Sequence, residues 1–198
     1  MKIYSGGFTA EHLYRNEVKI VSNLQLRGLS KLDIKKQVFD ENLFHCRSEA
    51  AIKDLFPRVY KRSEKLDDRL REILLSGSRS NTNAILLYAF LKGFRFPHDF
   101  VLEVVHYNLK RYKNFISDGN VHTFFEEKGQ QYDEVRNWTE KTKNKLKQVT
   151  LKILVDAELL VKKEKEFEIK PIPLSKELTE YVERHSQYKD MILLTLND

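Results

Sequence analysis

A chain of 198 residues with 41% hydrophobic and 32% charged residues has the composition of one globular domain or two small ones, which excludes a disordered polypeptide. Lysine and arginine number 35 against 29 acidic residues, so the formal net charge of +6 favours a polyanionic partner without requiring one. The single Cys46 excludes an internal disulfide bond, and no apolar segment approaches the ~20 residues of a membrane-spanning helix. These features predict a soluble, cytoplasmic protein without a membrane partner.

The first part of the chain predicts three helices joined by short turns, which we assign to an N-terminal unit over residues 1–65. The first helix runs to Arg27 and is followed by Gly28 at the C′ position. Pro57 lies inside the third helix and is expected to kink or divide it. The side chains suited to capping these helices are Thr9, Ser30 with Asp33, and Ser48. Such a succession of helices is compatible with a helix-turn-helix unit.

The second unit, residues 66–198, is predicted to be a helical core with a winged-helix-like end, and the sequence leaves open whether the two units form one body. A polar loop, residues 78–83, precedes an apolar helix, residues 84–91. Two short segments predict a β-hairpin, and the apolar tail 191–194 is expected to dock as helix or strand. The predicted helices are 68–75, 84–91, one with Pro97 in its first turn, 121–127, one capped by Thr139 and one from Ser175 to Arg184. The hairpin strands are 160–163 and 167–170. We therefore predict a mostly α, multi-helix fold with helix-turn-helix or winged-helix-like units and a small C-terminal β-hairpin.

The densest positive charge lies on the helix that begins after Thr139. Its lysines accompany an apolar stripe with helical spacing that includes Leu146, Val149 and Ile153. A basic amphipathic helix followed by a hairpin is the layout of a winged helix, in which the helix can enter a DNA groove. The candidate DNA-contacting residues of this helix are Lys141, Lys143, Lys145, Lys147 and Lys152. A solvated helix face without a ligand is the alternative interpretation.

Three further groups of charged residues are weaker candidates. Hairpin lysines are offset by glutamates at positions 164, 166 and 168, so a hairpin that grips phosphate is in doubt. The segment 110–113 combines cations with nearby Tyr107 and Phe115; such aromatics can stack on unpaired bases, although packing is their more usual role at a helix end. A second basic cluster, interleaved with acidic residues, adds the candidates Arg47, Lys53, Arg58, Lys61 and Arg62.

Enzymatic chemistry finds little support in the sequence. Glu103 and His106 form one Glu-x-x-His pair, but a di-metal carboxylate site needs a second such pair. The adjacent His45 and Cys46 favour a partly buried structural thiol over a catalytic nucleophile. The loop 76–80 could hold a phosphate before a helix, although simple capping explains it as well. We predict no catalytic residue, no metal site, no cofactor and no small-molecule substrate.

Several stretches, taken in order along nearly the whole chain, resemble one family. They are Tyr4-Ser5-Gly6-Gly7-Phe8, Glu41-Asn42-Leu43, Arg47-Ser48, Ser76-Gly77-Ser78, Lys145-Leu146-Lys147-Gln148, and the passage from Ala157-Glu158-Leu159-Leu160 to Pro171. This ordered set is similar to the BrxA proteins of bacterial BREX phage-defence systems. The resemblance implies a small helical protein with helix-turn-helix or winged-helix character, also likened to the NusB-type antitermination fold. It further implies binding to double-stranded DNA and an operon shared with a methyltransferase and an ATPase, and it does not imply an enzyme.

The leading hypothesis from the sequence is therefore a non-enzymatic accessory protein of a BREX system that binds double-stranded DNA. Lysine offers a point charge rather than a bidentate contact to a base, so low sequence specificity is expected. One alternative is an RNA-binding, antitermination-like factor that uses the aromatic cluster near Tyr107. The other alternative is a scaffold that joins further BREX proteins through an exposed apolar surface.

Overall fold

Helices and a small three-stranded antiparallel sheet make up the computed structural model, which describes residues 4–196. The α-helices are α1 (Arg15–Leu26), α2 (Lys31–Asp40), α3 (Glu49–Ser63), α4 (Asp68–Ser76), α5 (Arg79–Leu91), α6 (Arg95–Phe100), α7 (Tyr107–Lys110), α8 (Asp118–Gln131), α9 (Asp133–Arg136), α10 (Glu140–Asp156), α11 (Lys176–Arg184) and α12 (Asp190–Thr195). A π-helical segment, Val101–His106, joins α6 to α7, and a 3-10 turn, Ser186–Tyr188, precedes α12. The strands are β1 (Phe115–Ser117), β2 (Leu160–Lys162) and β3 (Glu166–Ile169). The predicted mostly α fold class is confirmed.

The first helix starts later than the sequence predicts. Thr9 lies in a turn, and α1 begins only at Arg15, after Tyr14 in a left-handed conformation (φ 53°) without a side-chain cap. The residues before it are extended or in turns because their aromatic side chains are buried in the core. Phe8 lies between 5.4 and 6.2 Å, measured between ring centroids, from the rings of Phe90 on α5, Phe94 in the connection between α5 and α6, and Phe96 on α6. Burial of large aromatic rings outweighs a favourable local cap.

The other predicted N-terminal helix signals are confirmed. Ser30 and Asp33 form a capping box on α2, and Ser48 caps α3. Gly28 follows α1 at φ +79°, a backbone conformation that glycine adopts without a steric penalty. Pro57 does not divide its helix, which is continuous from Glu49 to Ser63; the proline lies on the exposed side of α3.

A helix-turn-helix spacing is not found between α2 and α3. Residues 41–48 separate the two helices, whereas the turn of that motif has about three or four residues. The buried hydrophobic side chains from Tyr4 to Leu196 form one continuous cluster, so a boundary near residue 65 crosses a shared core. The division into units 1–65 and 66–198 stays a prediction.

Helix α5 occupies the centre of that core. Every residue from Asn81 to Leu91 is buried, and the helix contacts α1, α3, α4, α6, α10 and α12. It begins at Arg79 rather than at residue 84, because its polar first turns are satisfied by distant partners. Asn81 exchanges two hydrogen bonds with Ser175 (2.8 and 3.0 Å), and the carboxamide oxygen of Asn83 accepts from Arg15 (2.7 Å).

The sheet contains one strand that the sequence analysis missed. β1 precedes α8 and pairs with β3, which also pairs with β2, so the order is β1-β3-β2. A three-residue strand is too short to show an alternating pattern, and only its distant partner defines it. The predicted hairpin is confirmed, with each strand displaced by a residue or less at each end. Helix α8 starts before the predicted 121–127, because Ser117 and Asn120 form a capping box there, and it continues to Gln131.

Candidate nucleic-acid interface

Helix α10 presents one row of exposed basic and polar side chains. Thr139 caps the helix by accepting a hydrogen bond from the backbone of Thr142 (3.2 Å), as predicted. The spacing of four, three and four residues along the row places its members on one helix face. The row consists of Lys141, Lys145, Gln148 and Lys152. The opposite face is buried and attaches the helix to the core.

The row is chemically available for an anion. Lys141, Lys145 and Lys152 form no ion pair with any residue that the structure describes. Asn144 is also exposed beside Lys145 and adds a side chain that can both donate and accept hydrogen bonds. Three exposed ammonium groups on one face therefore give α10 a positively charged, hydrogen-bonding surface.

The two other predicted lysines of α10 point away from this row. Lys143 pairs with Glu140 (2.8 Å), and Lys147 pairs with Asp118 at the start of α8 (3.0 Å). Both line a cavity of about 540 Å³ between α8 and α10. Each of these two lysines already has a carboxylate partner. Of the five predicted lysines, three are therefore without an ion pair in the described residues and two are paired.

The hairpin after α10 carries much less available charge than its lysine count suggests. Glu168 pairs with Lys163 (3.1 Å) and with Lys170 (3.6 Å). The hydrogen bond from Lys163, together with the charges of both lysines, lowers the pKa of Glu168. Lys162 and Lys165 remain exposed and form no ion pair within residues 4–196. Two hairpin cations are thus left for a polyanion.

The second basic cluster is dispersed. Arg47, Lys53 and Lys61 are exposed and make no ion pair in the described part of the chain. Arg58 is half-buried; its guanidinium pairs with Asp54 (2.7 Å) and donates to the Ala10 carbonyl (3.3 Å). Only the first three of these side chains are therefore free to contact a ligand.

Arg62 is a core residue, and its place among the surface candidates was wrong. Its side chain is 3% exposed and pairs with the equally buried Glu11. The guanidinium also lies 5.0 Å from the ring centroid of Phe90 and 5.6 Å from that of Tyr14. Burial lowers the pKa of Arg62, while the Glu11 carboxylate opposes that shift. An arginine that is buried and paired in this way belongs to the core and does not reach a phosphate.

Among the aromatic rings of the third cluster, Tyr112 does not pack, whereas Tyr107 and Phe115 are about half covered. Tyr112 is 95% exposed, Tyr107 49% and Phe115 46%. The guanidinium of Arg111 lies 4.5 Å from the centroid of the Tyr107 ring. Their exposure was not deducible from composition, because any of these rings could have turned into the core.

The residues considered for catalysis are engaged elsewhere or isolated. Glu103 pairs with Lys128 of α8 (2.6 Å), and Ser78 caps α5 by accepting from Asn81 (3.2 Å), as simple capping predicts. Cys46 is half-buried, with its Sγ 3.9 Å from the Phe44 carbonyl oxygen. Among residues 4–196 no cluster of three His, Cys, Asp or Glu side chains is placed to hold a metal ion. Over the same residues, no helix combines the length and hydropathy needed to cross a bilayer.

A family model and a curated relative both identify the same family. The family model described as BrxA matches residues 2–186. The chain is 30% identical over 181 residues to a protein of Bacillus cereus (strain H3081.97) named BREX protein BrxA, covering 91% of this chain and 90% of that one. The crystal structure of an uncharacterized protein from Magnetospirillum magneticum shares the fold, with a TM-score of 0.78, 19% identity, and coverage of 98% of this chain and 100% of that one. The chain therefore belongs to the BrxA family.

Proposed function

We propose that this protein is a non-enzymatic accessory component of a BREX phage-defence system that binds double-stranded DNA with little sequence specificity. The proposal places it in the cytoplasm, where other BREX proteins are further partners. The observation that carries it is the row of unpaired Lys141, Lys145 and Lys152 on α10. The relative named BREX protein BrxA supports the place in a BREX system.

The dimensions of the row suit a DNA groove. Eleven residues separate Lys141 from Lys152, so the row spans about 16 Å along the helix axis. A major groove about 12 Å wide admits one α-helix, and the walls of that groove are the phosphate backbones. A helix that lies in the groove can therefore direct flexible lysine side chains towards phosphates on either wall. The β2–β3 hairpin follows α10 directly, as in a winged helix, where it lies beside the backbone.

The chemistry of the row favours phosphate contacts over base recognition. Lysine is a point charge without the planar fork by which arginine recognises guanine. Asn144 and Gln148 can reach base edges, and a side-chain amide of this kind pairs best with adenine. We therefore expect strong dependence on salt and only a weak sequence preference.

The salt dependence can be estimated from the unpaired cations. Three lysines of α10 and two of the hairpin, Lys162 and Lys165, would neutralise about five phosphates. Release of the counterions condensed on DNA then gives a slope of about −4 to −5 for the logarithm of affinity against the logarithm of salt concentration. Fluorescence anisotropy with a labelled duplex of mixed sequence, repeated at several salt concentrations, measures this slope.

A charge-reversal series tests the assignment to α10. The test variant combines Lys141→Glu, Lys145→Glu and Lys152→Glu. A control variant with the same change in net charge combines Lys36→Glu, Lys176→Glu and Arg184→Glu, all exposed on α2 and α11. Loss of duplex binding in the test variant alone supports the proposal. Equal weakening in both variants, or an affinity that is indifferent to salt, contradicts it.

The scaffold alternative predicts a different result in the same variants. A protein that joins BREX components through an apolar surface should keep its partners after the lysines of α10 are reversed. Purification of the protein from cells that carry the intact operon, with and without nuclease, separates the two. Partners that disappear with nuclease or with the α10 variant are held through nucleic acid, as we propose.

A further inference from the structure

A second exposed surface lies between α7 and β1, on elements other than the α10 row. Every residue from 110 to 115 is exposed, and residues 104–117 include no aspartate or glutamate. Its rings are those of Tyr107, Tyr112 and Phe115, of which Tyr112 is 95% exposed. We call residues 107–115 the aromatic platform. It combines exposed rings with the cations of Arg111 and Lys113 in a stretch of sequence that contains no acidic residue.

The backbone of the aromatic platform is fixed although most of its side chains are exposed. Tyr112 occupies the C′ position after α7 at φ +58°, and its N–H donates to the Leu109 carbonyl (2.9 Å). The N–H of Lys113 donates to the carbonyl of Asn108 (3.0 Å), which completes the helix-ending arrangement of two hydrogen bonds. The buried Asn108 side chain also donates to the Phe115 carbonyl (3.1 Å) and so ties the loop to the edge of the sheet.

The choice of a tyrosine at this position needs a reason beyond folding. Glycine or asparagine is usual at C′ because the left-handed conformation is unfavourable for a bulky side chain. A fully exposed ring gains almost nothing from burial in return. The backbone that carries the ring is already ordered, so a ligand that stacks on it must order only the side chain.

Cations beside the rings indicate what that ligand carries. The Arg111 guanidinium stacks 4.5 Å from the Tyr107 ring centroid, and Arg111 and Lys113 form no ion pair with another residue between 4 and 196. Phe115 lies on β1 directly opposite Glu168. The carboxylate of Glu168 forms ion pairs with Lys163 and Lys170. The core of a protein–protein interface is depleted of lysine, whereas alternating cations and rings are typical of surfaces that bind unpaired strands.

We propose that the aromatic platform binds single-stranded nucleic acid by stacking an unpaired base on Tyr112, with Arg111 and Lys113 contacting the flanking phosphates. Aromatic stacking accepts any base because every base has a π-face, so the platform needs no sequence. The inference does not depend on duplex binding by α10, since it rests on different residues and a different form of nucleic acid. It adds to the proposed function a site for unpaired bases, in single-stranded DNA or in RNA.

The test uses the full-length protein and a labelled single strand of about 12 nucleotides, as DNA and as RNA of the same sequence. One position carries a fluorescent purine analogue whose emission changes when it stacks on a ring. Tyr112→Asn removes the ring and suits the left-handed backbone, so the variant should fold at least as well as the wild type. Tyr112→Phe is the matched control, because it keeps the ring and loses only the hydroxyl.

We expect Tyr112→Asn to weaken single-strand binding about 5- to 150-fold and to abolish the emission change, while Tyr112→Phe retains both. The variant reversed at Lys141, Lys145 and Lys152 should keep the emission change, which separates this site from the proposed duplex site. Binding of either DNA or RNA supports the inference, and their ratio identifies the natural source. Wild-type affinity in Tyr112→Asn overturns it, as does loss of the emission change in the α10 variant. Failure of both single strands to bind also overturns it.

Discussion

Replacing Arg62 by methionine tests whether this cation belongs to the core or to the DNA-binding surface. The guanidinium pairs with Glu11, donates to the His12 carbonyl (3.4 Å) and lies over the ring of Phe90. The side chains of the pair are 3% and 7% exposed. Methionine fills much of the space of the arginine stem, so the main loss is the positive charge. Glu11 is then buried without its partner.

The cost should be large for a single substitution. Breaking a buried ion pair by removing one member destabilises a protein by about 3–5 kcal/mol, because the remaining charge is uncompensated. For a chain of this size 1 kcal/mol lowers the melting temperature by about 2–4 °C, so we expect a decrease of about 6–20 °C. Burial already raises the pKa of Glu11. Proton uptake by the abandoned carboxylate limits the loss and favours the lower part of this range.

Urea unfolding followed by far-ultraviolet circular dichroism measures the effect on a small set of variants. Arg58→Met is the control, because Arg58 is only half-buried and its partner Asp54 is exposed, so this pair is worth about 1 kcal/mol or less. The double variant Glu11→Leu with Arg62→Met should recover most of the lost stability, since both buried charges are gone. A stability of Arg62→Met equal to that of Arg58→Met would refute the core assignment. A stable Arg62→Met protein that had lost duplex DNA binding would refute it as well.

Two further predictions concern acid stability and backbone packing. Burial alone would raise the pKa of Asp67, but hydrogen bonds from the α4 backbone and from the Tyr181 hydroxyl (2.7 Å) lower it overall. The folded pKa lies below the unfolded value of about 4, so Asp67 stabilises the protein above that pH and the contribution is lost as pH falls. Asp67→Asn should therefore reduce the difference in unfolding free energy between about pH 7 and about pH 3, and an unchanged difference contradicts this. A Cβ on Gly77 would lie 2.4 Å from the Ile73 carbonyl oxygen, so Gly77→Ala should cost about 1–3 kcal/mol in urea unfolding. Gly119→Ala, whose nearest neighbour would be 3.5 Å away, should be close to neutral; equal effects at both glycines would contradict the packing argument.

Local signals in the sequence determined a large part of the secondary structure. Caps such as Ser30, Ser48, Thr139 and Ser175 act on backbone groups two or three residues away, so their effect is visible in a short window. The apolar stripe of α10 and the alternation of β3 likewise depend on neighbours within two turns or two residues. The same stripe indicated which side of α10 is buried and therefore which lysines were candidates for the surface.

Long-range packing decided the rest. Lys61 and Arg62 are neighbours in a basic cluster, yet one is exposed and the other pairs with Glu11, fifty-one positions earlier in the chain. Lys147, on another side of α10, pairs with Asp118, which only the tertiary structure brings within 3.0 Å. β1 exists because β3 offers it a partner. Composition thus showed that positive charge is abundant, whereas the three-dimensional arrangement of acidic groups decided which cations remain free, because an ion pair depends on distance in space.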